Sequence, residues 1–264
     1  MMGGFAGTVL RDDMGTAVEL AGPVGRVVSL VPSLTEALAA GAPGVLVGAT
    51  RWCTHPPGLR VARVRGTKNP DRRAVAALRP DLVVANKEEN RELDVRRLRE
   101  AGIPVWVTVV ETVPEALASL ERLFTQALDR PVPDWLRAAE RLWTGPPPRP
   151  RARVAVPIWR DPWMVVGSAT FAGDLLARLG MENAFARDPG RYPRADPAEL
   201  DRAGLDTIVL PDEPYPFAPG DGPEAFTRTP TALIEGRLLT WYGPSLVTAR
   251  TELAARLGAG GAGG

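Results

Sequence analysis

Hydrophobic residues in this chain fall in short continuous runs, and each run adjoins a segment with helical spacing. Residues 26–31, RVVSLV, read as a strand buried on both faces, and PSLTEALAAG opens a helix in which Ser33 and Glu36 have the spacing of a capping box. NPDRRAVAALRPDLVVAN repeats this grammar: Asn69 is the expected N-cap, Pro70 the first helical residue, and a strand follows over residues 82–85. VRRLREAGIPVWVTV is a helix closed by Gly102 and then a strand over 104–109, while Thr112, Pro114 and Glu115 open a helix to about residue 128. TVLRDD and TAVEL near the start suggest a small hairpin. Strands alternating with helices imply a mostly parallel sheet.

From residue 131 the composition shifts to PVP, a short helix DWLRAAERLWTG, and PPPRPR. A helix over 134–144 spans about 16 Å, enough for one strut stiffened by proline at both ends. A second α/β set follows: strand RVAVPIW, a turn at 160–162, strand MVVGS, helices ATFAGDLLARLG and DPAELDRAG, strand LDTIVL, and a final strand around LLTWYG. NPDRRAVAALRPDLVVA and DPAELDRAGLDTIVLP share a cap, a proline, a short helix, an aspartate and a hydrophobic strand, so the halves read as weak copies of one fold. The expected organisation is a lobe over 1–130, a linking helix and Pro-rich linker over 131–150, a lobe over 151–257 and a flexible Gly-rich tail over 258–264. Such a pair leaves a cleft suited to a small ligand.

Length changes this picture little, because 264 residues suit two lobes as well as one large α/β domain. The 32 basic and 31 acidic side chains cancel to +1, which leaves no global field to hold a nucleic acid. All basic residues except Lys68 and Lys87 are arginines, a bias that carries no functional weight here. No run approaches the roughly 18 apolar residues of a membrane span. A single Cys excludes an intramolecular disulfide, and the first residues lack a basic stretch leading into an apolar one. The expected location is cytoplasmic as the sequence stands, and extracytoplasmic if a signal peptide has been removed.

In open parallel sheets ligands bind beyond the carboxyl ends of the strands. Residues there are Pro32 and Ser33; Trp52, Cys53 and His55; Asn86; Trp159, Arg160 and Trp163; Tyr215 and Phe217; Trp241 and Tyr242, with Tyr192 in a neighbouring loop. Rings at loop positions either pack the lobe edges or stack on a flat amphipathic ligand. There is no GxxxxGK[ST], HExxH, GxSxG or paired-Cys motif, and the GxGxxG match at 258–263 follows no strand. RWCTHPP at 51–57 holds the only Cys and the only His. Zinc needs three or four ligands, and a Cys and His two apart in an extended loop are poorly placed to meet. Trp52 and His55 are therefore expected to face the cleft while Cys53 turns inward; alternatively His55 only hydrogen-bonds its own loop. No catalytic or metal-ligating residue is assigned.

RVVSLVPSLTEAL, VGATRWCTHPP, GTKNPD with LRPDLVVAN, LREAGIPVWV, VVGSATFAGDLLARLG, RYPRADPAEL and LLTWYG together resemble the periplasmic cobalamin- and iron-siderophore-binding proteins of ABC importers, the helical-backbone metal receptors, over residues 8–250. The resemblance implies two Rossmann-like lobes with parallel sheets joined by a single rigid helix, the class III substrate-binding-protein fold, and a monomer that holds a metal chelate and meets an ABC permease. Corrinoid binders are most similar. Their flanking aromatics match Trp52, Tyr192 and Trp241, with Trp163 beside another, and Ser33, Asn86, His55 and Arg160 would supply polar contacts. Cobalamin or a related corrinoid is the implied ligand, iron-siderophore or haem the alternative, and no catalytic cofactor is implied. Where corrinoid binders present one Glu per lobe to the permease, this chain has Arg73 and Ala198, with Asp71 and Glu199 close by, and Arg73 would repel a permease arginine. A further alternative is a cytosolic enzyme of tetrapyrrole metabolism on this scaffold, with His55, Glu36 or Glu213 as acid or base.

Overall fold

The computed structural model describes residues 7–258, so most of the expected tail and of the GxGxxG match lies outside the described residues. The chain divides into two compact units. The first holds the residues up to Val110, Glu115–Glu140 and Tyr242–Pro244; the second holds Glu111–Pro114, Arg141–Trp241 and the residues from Ser245 onward.

In the first unit β1 (Thr8–Arg11) and β2 (Ala17–Leu20) form the antiparallel hairpin expected near the start. Two carboxylates at its turn fasten it. Asp12 accepts from Arg99 Nη2 at 2.6 Å and Val107 N at 3.3 Å, and Asp13 from Arg122 Nη1 at 2.6 Å and Val109 N at 3.1 Å. The main sheet contains β3 (Val27–Ser29), β4 (Leu46–Ala49), β5 (Ala62–Arg63), β8 (Leu82–Asn86) and β9 (Val105–Thr108), all parallel, in the order β5-β4-β3-β8-β9. A two-stranded ribbon, β6 (Arg65–Gly66) and β7 (Asn69–Pro70), leads into the helices between β5 and β9. Val28, Leu30, Val83, Ala85, Val105 and Val107 are buried on one face of the sheet and Val27, Leu82, Val84 and Trp106 on the other, which is why these strands are apolar without alternation.

Helices α1 (Pro32–Gly41), α2 (Arg72–Ala77), α3 (Glu92–Glu100) and α4 (Val113–Arg122) follow β3, β7, β8 and β9, and α4 runs on as a π-helical turn over Leu123–Ala127. Two expected caps are replaced. The Ser33–Glu36 capping box does not form: Val31 is the N-cap and Pro32 the first helical residue, which puts Ser33 and Glu36 inside a buried turn. Asn69 does not cap α2. It pairs in the β6–β7 ribbon, and Asp71 accepts from Arg73 N and Ala74 N, both at 3.1 Å.

Within α5 (Asp134–Trp143) the chain passes into the second unit. There β10 (Ala152–Ala155), β13 (Met181–Asn183), β14 (Thr207–Pro211) and β15 (Thr231–Ile234) form a parallel sheet in the order β13-β10-β14-β15. If the edge strand β5 is set aside, both sheets have one order: β4-β3-β8-β9 in the first unit matches β13-β10-β14-β15 in the second, so the units repeat one doubly wound topology. RVAVPIW is two strands, because Val156 and Pro157 turn the chain into β11 (Pro157–Trp159), which pairs antiparallel with β12 (Met164–Val165). Helices α6 (Phe171–Arg178) and α7 (Pro197–Leu200) precede β13 and β14. The expected last strand is instead α8 (Gly236–Thr240), and the described chain ends in α9 (Leu246–Gly258), where Trp143 Nε1 donates to Leu246 O at 2.8 Å. Among the described residues no helix is long and apolar enough to cross a membrane.

Candidate functional site

At the carboxyl edge of the first unit's sheet, β4 runs out into the RWCTHPP loop. Arg63 holds this loop by donating Nη1 to Thr50 O at 3.1 Å and Cys53 O at 3.0 Å, and Nη2 to Leu59 O at 3.2 Å. Cys53 points inward: its Sγ lies 3.0 Å from Thr35 Oγ1 and 3.2 Å from Thr50 Oγ1, and burial pushes the thiol pKa up. The thiol's partners are therefore threonines, while half-buried His55 has Nδ1 3.2 Å from its neighbour Thr54 Oγ1. Trp52 points the other way and is 63% exposed. Gly66 lies under this indole; a Cβ there would stand 3.3 Å from Trp52 Nε1 and 2.6 Å from Asn69 Oδ1.

Behind this surface lies a polar layer in which sequence-identified residues meet unexpected partners. Asn86 donates Nδ2 to Thr108 Oγ1 at 3.1 Å and accepts at Oδ1 from Glu88 N at 2.8 Å and Glu89 N at 3.2 Å. Asn90 receives Asn86 N at 2.9 Å and donates to Thr67 O at 2.9 Å, so two asparagines shape the β8–α3 turn. Tyr242 is buried against this layer, with its hydroxyl 3.5 Å from Glu89 Oε1 and close to the side chains of Ser33 and Thr108. Burial first, and the Glu89 charge second, raise its phenol pKa well above the ordinary value. Pro32 is half-buried at the head of α1.

In the second unit the rings form a cluster. Trp163 stacks on Phe217 at 5.7 Å and meets Phe226 edge-on at 5.4 Å, beside the apolar core of Ile208 and Leu210. Tyr215 lies 4.7 Å from Phe217 and 5.8 Å from Trp159, and its hydroxyl donates to Asp221 Oδ2 at 2.8 Å, which raises its pKa. Arg160 is held by Asp221 and Glu224 with its guanidinium 5.4 Å from the Trp163 ring, and the Arg160 hydrogen bond holds the Glu224 carboxyl below its usual range. Trp159, on β11, remains 44% exposed, while Tyr192 is half-buried in the loop before α7. Trp241 is buried at the C-cap of α8. Desolvation pushes the neighbouring Glu213 carboxyl up despite hydrogen bonds from Thr240 and Trp241.

The twelve sequence-identified residues thus sort by depth. Trp52, His55, Trp159, Tyr192, Tyr215 and Pro32 keep accessible surface; Ser33, Asn86, Trp241 and Tyr242 are buried, and Trp163 and Arg160 brace the aromatic cluster. Thr108, Asn90 and Gly66 were not legible in the sequence, because each acts on a partner remote along the chain or on a ring only the fold brings near. Among the described residues no group of three or more His, Cys, Asp or Glu could hold a metal ion.

No family model matches the chain. The vitamin B12-binding protein of Pectobacterium carotovorum subsp. carotovorum is 27% identical over 202 residues, covering 73% of each chain. The periplasmic vitamin B12 binding protein BtuF of Vibrio cholerae superposes with a TM-score of 0.73 at 18% identity, over 91% of this chain and 99% of its own. The periplasmic heme-binding protein RhuT from Roseiflexus sp. RS-1 gives a TM-score of 0.71 at 22% identity, over 90% and 99%. By order of motifs and similarity across most of its length the chain resembles the vitamin B12-binding proteins, and its repeated sheet topology is the fold of the class III periplasmic binding proteins.

Proposed function

We propose that this chain is a non-catalytic binding protein for cobalamin or a related corrinoid, working outside the cytoplasm with an ABC-type importer. One observation carries the reading beyond that resemblance: Trp52 stands exposed on a loop that Arg63, Thr35 and Thr50 hold rigid, over a glycine that leaves room for the ring. A large indole fixed in the open is a stacking surface for a broad planar ligand. Trp159, Tyr192, Tyr215, His55 and Pro32 are the other proposed contacts; Ser33, Asn86, Arg160, Trp163, Trp241 and Tyr242 would hold them in place. For the importer, Asp71 caps α2 and Glu199 sits in the first turn of α7 in the other unit, so each unit offers one acid at a helix start near the position where Arg73 or Ala198 stands. The periplasmic relatives support the extracytoplasmic assignment.

Titration with cyanocobalamin, followed by visible absorbance and equilibrium dialysis, tests the reading. Saturable retention is expected, and Trp52→Ala and Trp159→Ala should each weaken it by about tenfold, the loss of one stacked ring and its buried area. Haem and a ferric siderophore run in parallel decide the ligand: retention of haem without cyanocobalamin would select the haem alternative, and retention of none would end the proposal.

A further inference from the structure

We propose that the second unit carries a separate site for a multivalent phosphoryl anion, in a cavity of about 280 Å³ walled by Arg149, Arg151, Arg178 and Arg250. No carboxylate lines this cavity; Pro148, Leu179 and Gly180 complete much of its wall. One guanidinium is accounted for by the fold. Arg178 donates Nε to Asp174 Oδ2 at 2.7 Å and Nη1 to Trp143 O at 3.0 Å and Gly145 O at 2.8 Å, which leaves Nη2 without a protein acceptor among the described residues.

The other three have no acid. Arg250 donates to the carbonyl of Leu142 and lies 5.8 Å from the Trp143 ring, and the side chains of Arg149 and Arg151 make no ion pair or hydrogen bond among the described residues. The carboxyl end of α6 supplies only about half a negative charge, too little to balance these guanidiniums. Leu175 O and Leu176 O already accept from Leu179 N, Ala177 O accepts from Gly180 N, and Gly180 O accepts from Arg151 N. Four guanidiniums against the single carboxylate of Asp174 leave the cluster strongly cationic, and mutual repulsion opposes gathering them. A monovalent carboxylate would neutralise one. A phosphate ester or diphosphate, with several oxygens for planar guanidinium forks, would answer the set. The same phosphoryl chemistry occurs on soluble metabolites and on phospholipid headgroups.

The test is calorimetric titration of the intact chain with sodium pyrophosphate in chloride buffer of matched ionic strength, beside the Arg149→Gln/Arg151→Gln variant. Both residues are exposed, so the variant should keep the parent's unfolding midpoint in chloride alone and its cyanocobalamin response. Saturable binding by the parent, weakened about tenfold or more in the variant, is expected. Flotation with phosphatidylcholine vesicles, with and without phosphatidic acid, whose phosphomonoester ionises twice, decides the source. Variant-sensitive retention on the anionic vesicles identifies a lipid headgroup, and pyrophosphate binding without retention identifies a soluble ligand. Equal binding by parent and variant, or neither pyrophosphate binding nor retention, would overturn the proposal.

Discussion

The Cys53 thiol sits under two threonine hydroxyls with no solvent access, and burial holds its pKa above the ordinary 9.0. It should react with iodoacetamide at pH 8 roughly tenfold or more slowly than after unfolding in urea, since only the thiolate attacks; equal rates would show that the loop opens freely. Two carboxyls make opposite demands on pH. Glu213 is raised above its ordinary 4.5, first by desolvation, so the fold favours its neutral form. Its contribution to stability is complete below 4.5 and is lost as pH rises through the folded value. Asp201 is lowered: desolvation opposes this, but the amides of Thr227, Thr229 and Arg228 outweigh it, so its contribution is present above 3.8 and lost as pH falls. In urea unfolding across a pH series, Glu213→Gln should gain on the parent as pH rises from 4.5, and Asp201→Asn should lose least relative to the parent at the acid end.

Elements show how far local rules reach. Continuous apolar runs marked the buried parallel strands because burial on both faces removes alternation. Caps were harder, since Asn69 and Asp71 suit the same role and the β6–β7 ribbon claims Asn69. Five residues are too few to separate strand from helix at α8, whereas α9 buries Leu246, Ala249, Leu253 and Leu257 at a helical spacing that the sequence itself carries. Packing also sets the sign of a substitution at the end of α1. A Cβ on Gly41 would come within 2.5 Å of Phe124 Cζ and 2.6 Å of Pro133 Cγ, and the Phe124 ring is fully buried edge-on to Trp135. Helix propensity favours alanine by about 1 kcal/mol, whereas overpacking costs about 1 to 3 kcal/mol. Gly41→Ala should therefore lower the urea midpoint with an unchanged slope; a raised midpoint would mean that the ring yields.

At the scale of the molecule, the repeat was legible because both halves carry the cap–Pro–helix–Asp–strand sequence, leading into β8 in one and β14 in the other. The polar layer was not: Ser33, Asn86, Thr108 and Tyr242 come from four distant segments, and no spacing rule joins them. Tyr242–Pro244 belongs to the first unit although the residues on either side belong to the second. A fragment of residues 7–140 would lack the buried phenol that Ser33, Thr108 and Glu89 surround. It should melt less cooperatively and at lower temperature than the intact chain by circular dichroism; an equal, sharp transition would show that these three residues are dispensable.

The same threading bears on biosynthesis. Translation must pass residue 242 before the first unit can close over that tyrosine, so in a nascent chain this unit remains incomplete, and open to chaperones, until the second unit's strands have been made.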